Sequence, residues 1–144
     1  MSRRSAKSSM VKLENLFPLE PMTPAQEEVC NAWDDGDNII MSGSPGTGKT
    51  FLGLHLALEE VLDRETVYDN VTLVRSIVPT REIGYLPGSK NEKEEAYTSP
   101  YKSILQELFN DKEAWFKLEQ QKLLNFESTS FIRGITFNLS LIHI

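Results

Sequence analysis

Apolar positions along this chain fall into short runs and helical spacings separated by polar punctuation. Asn38, Ile39, Ile40 and Met41 make a short apolar run that reads as a buried strand. Residues 51–62, rich in Leu and opening on Phe51, predict a helix. Upstream, Thr23 suits an N-cap and Pro24 the first helical position, and Ala25, Val29, Ala32 and Trp33 share one face, so a helix is expected to run to about Trp33. Asp34, Asp35, Gly36 and Asp37 then form a turn. Beyond a polar connection, Val71, Thr72, Leu73 and Val74 are short and β-branched, a second strand. Strand, helix and strand in that order predict a βαβ unit and a parallel sheet.

The second half is less sharply patterned. Residues 76–88 carry Pro79, Gly84, Pro87 and Gly88 and read as a loop, and the mixed charges of 89–96 read as a solvated face. Pro100 marks an expected helix start, with Tyr101, Ile104, Leu105 and Leu108 at helical spacing. A further helix is expected over 114–124 and a strand over 126–132, which ends at Arg133 and Gly134. Residues 138–144 are strongly β-prone. At the other end, residues 1–22 are expected to form a flexible segment. Arg3, Arg4, Lys7 and Lys12 precede the first acidic residue, Glu14, and Pro18 and Pro21 discourage regular structure. The sharper alternative is a basic arm that touches nucleic acid.

Between the first strand and its helix stands Gly43-Ser44-Pro45-Gly46-Thr47-Gly48-Lys49-Thr50, which fits G-x-x-x-x-G-K-[ST] at every fixed position. Successive N–H groups of such a loop face inward and make an anion-binding concavity, and the following helix adds its positive end. Glycine lets the backbone curl closely around a phosphate. In this pattern Lys49 is expected to reach the β- and γ-phosphates of a nucleotide, and the Thr50 hydroxyl to ligate Mg²⁺.

Three further features carry candidate chemistry. Gln26 closes a Thr-x-x-Gln capping box, with its side chain reaching back to the Thr23 backbone, or it reads an adenine edge through its paired amide donor and acceptor. Arg75 ends the second strand, where ligand contacts in open α/β sheets gather, although a surface arginine is the plain reading. The segment 83–88 is a packed surface loop or a stacking platform for a base.

Bulk properties narrow the class. The 144 residues suffice for one domain with a core, and 40% hydrophobic with 25% charged residues is ordinary for a globular protein. A net charge of −6 argues against a surface given wholly to nucleic acid but leaves room for a local basic groove. The single cysteine, Cys30, permits no internal disulfide and fits a reducing compartment. No apolar run approaches the ~18 residues of a membrane span, and no apolar stretch follows the basic N-terminus as in a signal peptide. A cytoplasmic location is expected.

Five segments together resemble the PhoH family, in particular its short phage-encoded members. They are Thr23-Pro24-Ala25-Gln26, the loop Gly43 to Thr50, Val74-Arg75 with Val78, Gly84-Tyr85-Leu86-Pro87-Gly88 with Lys93 and Tyr101, and Phe131-Ile132-Arg133-Gly134-Ile135-Thr136. The loop is shared with a very large class, whereas the Leu-Pro-Gly and Arg-Gly-x-Thr segments are specific. The likeness covers roughly residues 20 to 137. It implies an α/β P-loop NTPase of the RecA-like, helicase-related type with a parallel sheet, ATP and Mg²⁺ as cofactors, and ATP hydrolysis as the activity. RNA or other single-stranded nucleic acid is the implied partner, with a homo-oligomer in the full-length form and the host cytoplasm as the location if the gene is phage-borne. By the same resemblance Gln26 matches an adenine-reading glutamine, Arg75 the arginine after the second strand, and Arg133 the catalytic arginine of the turn before the Mg²⁺-site strand.

One departure matters. The family continues past Thr136 into a strand that ends in Asp-Glu, the Asp helping to hold Mg²⁺ and the Glu acting on the attacking water. Here no Asp or Glu follows Glu127. Residues 138–144 read as that strand cut short, or residues 139–144 read as translated transposon-end sequencing adapter, a non-native tail. The domain is therefore expected to be a partial one over 23–144, incomplete at its C-terminus, that binds ATP and hydrolyses it poorly. The rival classes are a non-catalytic nucleotide- or nucleic-acid-binding module and a small-molecule kinase, which needs an arginine-rich lid that the sequence does not offer.

Overall fold

The computed structural model of the protein describes residues 10–63, 65–76, 90–129 and 140–143. After a single 3₁₀ turn (Leu13–Asn15) come α1 (Pro24–Asp34), α2 (Lys49–Leu62), β1 (Asn70–Arg75), α3 (Lys90–Phe109), α4 (Ala114–Gln120), β2 (Leu124–Ser128) and β3 (Ser140–His143). The strands form a parallel sheet in the order β2-β1-β3. Val71 stands opposite Leu124 on one side and Leu141 on the other, and Arg75 stands opposite Ser128. Central β1 is buried from Val71 to Val74, the near-continuous burial that a parallel strand with two neighbours acquires. Among the described residues no helix is long and apolar enough to cross a membrane.

The core gathers around one face of the sheet. Val71 and Leu73 of β1 and Leu124 of β2 meet Leu54, Leu58 and Val61 of α2, Leu105 and Leu108 of α3, and Trp115 and Leu118 of α4. On α2 the Leu54 and Leu58 pair lies one turn apart, so the helix that begins at the Gly43–Thr50 loop is fastened to the sheet by its middle. Phe126 adds tilted aromatic contacts with Tyr101 and Trp115, at 6.2 and 6.4 Å between ring centroids.

Several expectations shift. Residues 38–41 are not a strand: among the described residues nothing pairs with them, and Ile40 is 98% exposed. Strand propensity is expressed only where a neighbour supplies the ladder. α3 begins at Lys90 and carries Pro100 inside it, so the proline does not start the helix. A proline removes one backbone donor, and the flanking turns hold the helix together across it. α4 ends at Gln120, earlier than expected, because Lys122 turns into the left-handed region at φ 59°. β2 then starts at Leu124, two positions before the expected strand.

The lead-in also differs from a loose segment over residues 10–17. Val11 is 4% exposed and joins the core. The Gln121 amide grips it from both sides, accepting from the Val11 N–H at 2.7 Å and donating to its carbonyl at 3.1 Å. The Phe17 N–H donates to the Leu108 carbonyl at 3.0 Å, and the Phe17 carbonyl accepts from Nε2 of buried His55 at 2.6 Å. Sequence patterning does not show this docking because the partners of Val11 and Phe17 lie far along the chain.

Asp111 organises the α3–α4 corner. One carboxylate oxygen accepts from the Lys117 ammonium at 2.6 Å and the other from the Glu113 N–H at 2.9 Å. The Lys117 bond, then the Glu113 bond, hold its carboxyl below the ordinary value of 3.8. A carboxyl depressed in the folded state stabilises fully above its unfolded pKa, and the contribution is lost as pH falls through the folded value. Asp111→Asn is therefore expected to melt below the wild type at neutral pH by up to about 1 kcal/mol, the range of a partly exposed pair. In thermal melts the gap should close on acidification below about pH 4; a gap that persists at low pH counts against this account.

Candidate functional site

The Gly43–Thr50 loop leads directly into α2. Gly46 and Gly48 hold φ of 81° and 84°, a region that side chains disfavour, and Gly48 is the N-cap. The loop is closed by its own groups. The Thr47 hydroxyl donates to the Ser44 carbonyl at 2.9 Å. The Lys49 ammonium donates to the carbonyl of Gly43 and, at 3.3 Å, to that of Ser44. A methyl group added at Gly43 would meet Thr47 Oγ1 at 3.6 Å and the Lys49 side chain at 3.9 Å, so the turn closes tightly on the lysine. Pro45 and Gly46 lie at the exposed crest, and Thr50 is half-buried as the second residue of α2. The first turn of α2 contains no acidic residue, which leaves its positive end uncompensated by side chains.

Gln26 lies against this loop. A methyl group at Gly48 would stand 3.9 Å from Gln26 Nε2. The Thr23 hydroxyl caps α1 by accepting from the Gln26 N–H at 3.2 Å. The Gln26 side-chain Oε1 accepts from the Met22 N–H at 2.7 Å, one residue before the Thr23 position of a capping box. Backbone support and orientation toward the loop thus coexist in one side chain. An amide oxygen has a second lone pair, so the bond to Met22 does not exhaust it.

Between α1 and the loop opens a cleft of about 840 Å³. Gln26, Val29 and Ala32 of α1 form one wall, residues 37–43 the floor, and Thr47, Gly48, Lys49 and Leu52 the other wall. Val29 and Ala32 carried the pattern of a core face; here they line the cleft, as do Ile39, Ile40 and Met41. The volume lies in the range of small-molecule sites. Cys30, on the same helix, is pushed up in pKa by burial and by Asp34.

Other candidates are not brought here. Arg75 does not line the cleft. Its Nη1 donates to the Tyr97 carbonyl at 2.9 Å, and its guanidinium stands 5.5 Å from the Tyr97 ring centroid and 6.0 Å from that of Tyr101. Sequence reasoning missed both tyrosines as partners, and no local signal marks them, since α3 meets the end of β1 only in the folded chain. Arg133 and the segments 83–88 and 131–136 lie outside the described residues.

The residues present fit a nucleotide: a cationic, amide-rich loop beside a cleft with apolar walls and one amide edge. Among the described residues no group of three or more His, Cys, Asp or Glu is placed to hold a metal ion.

Comparison with known proteins agrees with this reading. Protein PhoH2 of Bacillus subtilis is 40% identical over 75 residues, 51% of this chain and 17% of that protein. A PhoH-like protein of Mycobacterium leprae is 29% identical over 121 residues, 83% of this chain and 34% of its own. One from Synechocystis is 30% identical over 112 residues, covering 77% and 33%. The chain thus spans about a third or less of the length of these curated relatives. No solved structure matches. The family described as PhoH-like protein matches residues 18–144, and the chain belongs to it, a family of P-loop NTPase fold that is generally ATP-binding.

Proposed function

We propose that this chain binds ATP with Mg²⁺ at the Gly43–Thr50 loop, and that the full-length protein is an ATP hydrolase acting with RNA or single-stranded nucleic acid in the cytoplasm. The observation that carries the proposal is the Lys49 ammonium held on the Gly43 and Ser44 carbonyls, within a loop that opens α2 and faces the cleft. On entry of a triphosphate, Lys49 exchanges those neutral carbonyl acceptors for charged phosphate oxygens, so both partners of the bond carry charge. The loop amides hold the β-phosphate, and Thr50 supplies a hydroxyl to the metal. Bound Mg²⁺ would neutralise charge between the phosphates. Gln26, which lines the cleft, is proposed to pair its amide with an adenine edge. Arg133 is proposed as a second cation on the phosphates, on family resemblance.

A second reading is binding of nucleotide without turnover. Titration calorimetry with Mg²⁺-ATP and Mg²⁺-GTP, paired with a phosphate-release assay, separates the two. Heat without turnover supports the binding module for this chain; repeated turnovers select the hydrolase. In the same titrations Gln26→Ala is expected to weaken ATP about tenfold and leave GTP unchanged, the loss of a paired hydrogen bond. An equal loss for both bases would assign Gln26 to the α1 cap alone.

A further inference from the structure

His55 is a polar side chain on the buried face of α2, only 3% exposed. Its Nε2 meets the Phe17 carbonyl at 2.6 Å, and because a carbonyl only accepts, Nε2 carries the proton. Nδ1 has no hydrogen-bond partner among the described residues; the nearest carboxylate oxygen, Glu59 Oε2, stands 3.5 Å away. An imidazole is costly to bury, and here its hydrogen bonding is directed at the lead-in rather than at the core. The other backbone group of Phe17 is held as well, its N–H donating to the Leu108 carbonyl at 3.0 Å. The Phe17 ring is 53% exposed, so backbone bonds rather than ring packing fix this point of the chain.

Four residues separate that anchor from Met22, and two of them, Pro18 and Pro21, restrict their own φ. The Met22 N–H then donates to Gln26 Oε1 at 2.7 Å, and Gln26 Nε2 is left on the loop side, 3.9 Å from where a methyl group at Gly48 would stand. From this geometry we infer that His55 is a positioning residue for base recognition: by fixing Phe17 it sets how the chain enters α1, and with it the orientation of the Gln26 amide and the preference of the cleft for adenine over guanine. Adenine offers a donor and an acceptor on the edge an amide reads, whereas guanine offers two acceptors. An amide held in one orientation pairs with the first, and one free to turn presents its NH₂ to either. The inference rests on the nucleotide reading above and extends it to a residue that does not line the cleft.

The test is calorimetry on the full chain with Mg²⁺-ATP and Mg²⁺-GTP, each variant first checked for a cooperative melt. His55→Leu fills the space without the donor and is expected to weaken ATP about fivefold while leaving GTP unchanged, the loss of one hydrogen bond's worth of preorganisation. His55→Gln, whose side-chain NH₂ can replace the imidazole N–H, should restore the wild-type ratio. In a Gln26→Ala background His55→Leu should cause no further loss, since the two act through one amide. If His55→Leu does not fold, the Pro18→Gly/Pro21→Gly double variant, at exposed positions outside the core cluster, carries the same expectation. A folded variant that keeps the wild-type ratio of ATP to GTP affinity overturns the inference alone, as does an equal loss for both nucleotides or a loss that persists without Gln26. A wild type that binds neither nucleotide overturns the nucleotide reading and the inference with it.

Discussion

Lys49→Ala is expected to weaken Mg²⁺-ATP binding by roughly 30- to 1,000-fold, the equivalent of about 2–4 kcal/mol for a charged donor taken from a phosphate. The folded chain should scarcely notice. Among the described residues the ammonium bonds to exposed loop carbonyls, and water can replace those bonds. The change in unfolding free energy is therefore expected to stay under about 1 kcal/mol. Calorimetry and a thermal melt on the same sample distinguish the cases. Lost heat with an unchanged melt places the lysine in ligand binding. A melt that collapses would make Lys49 a structural residue, and retained ATP affinity would remove the loop from the nucleotide site.

Leu58→Ala is the change expected to cost most stability. Leu58 is 0% exposed and belongs to the cluster that joins α2 to the sheet. Truncating a fully buried leucine costs about 2–5 kcal/mol, the lost transfer energy plus the cavity left behind. Domains of this size hold only about 5–15 kcal/mol in total, so the variant loses a large share of its margin. The melting temperature should fall on the order of 10 °C. Because α2 carries Lys49 and Thr50 at its start, loosening its middle also disturbs the loop. If the nucleotide reading is right, saturating Mg²⁺-ATP should recover part of the loss by mass action. Phe116→Ala, at a position 58% exposed on α4, is the control and should stay within about 0.5 kcal/mol. Equal losses for the two would show that the cluster around Leu58 is not the main core.

How much was legible varies by element. α1 was read from Thr23 and Pro24 and runs Pro24–Asp34. α2 was expected over 51–62 and begins two residues earlier, at Lys49. β1 was expected at Val71–Val74 and spans Asn70–Arg75. These elements carry their own instructions: a cap, a helical apolar face, a β-branched run. Gln26 shows the opposite case. Its local reading pointed to Thr23, and the fold supplied Met22 on one side and the loop on the other.

By itself, then, the sequence determined the helix boundary at the α1 cap, the central strand and the tight glycine loop with its lysine, because each depends on contacts within a few residues; the sheet is parallel as expected, but β1 pairs with β2 and β3 rather than with 38–41. Only the tertiary structure decided that 38–41 stand unpaired among the described residues, that Val11 and Phe17 dock through Gln121, His55 and Leu108, and that Arg75 turns to Tyr97. Each of those outcomes depends on a partner tens of residues away. A strand without a neighbour, a lone valine or an arginine at a strand end carries no local mark of what it will meet. The folded chain supplies that partner, and with it the free energy that selects one arrangement over the others.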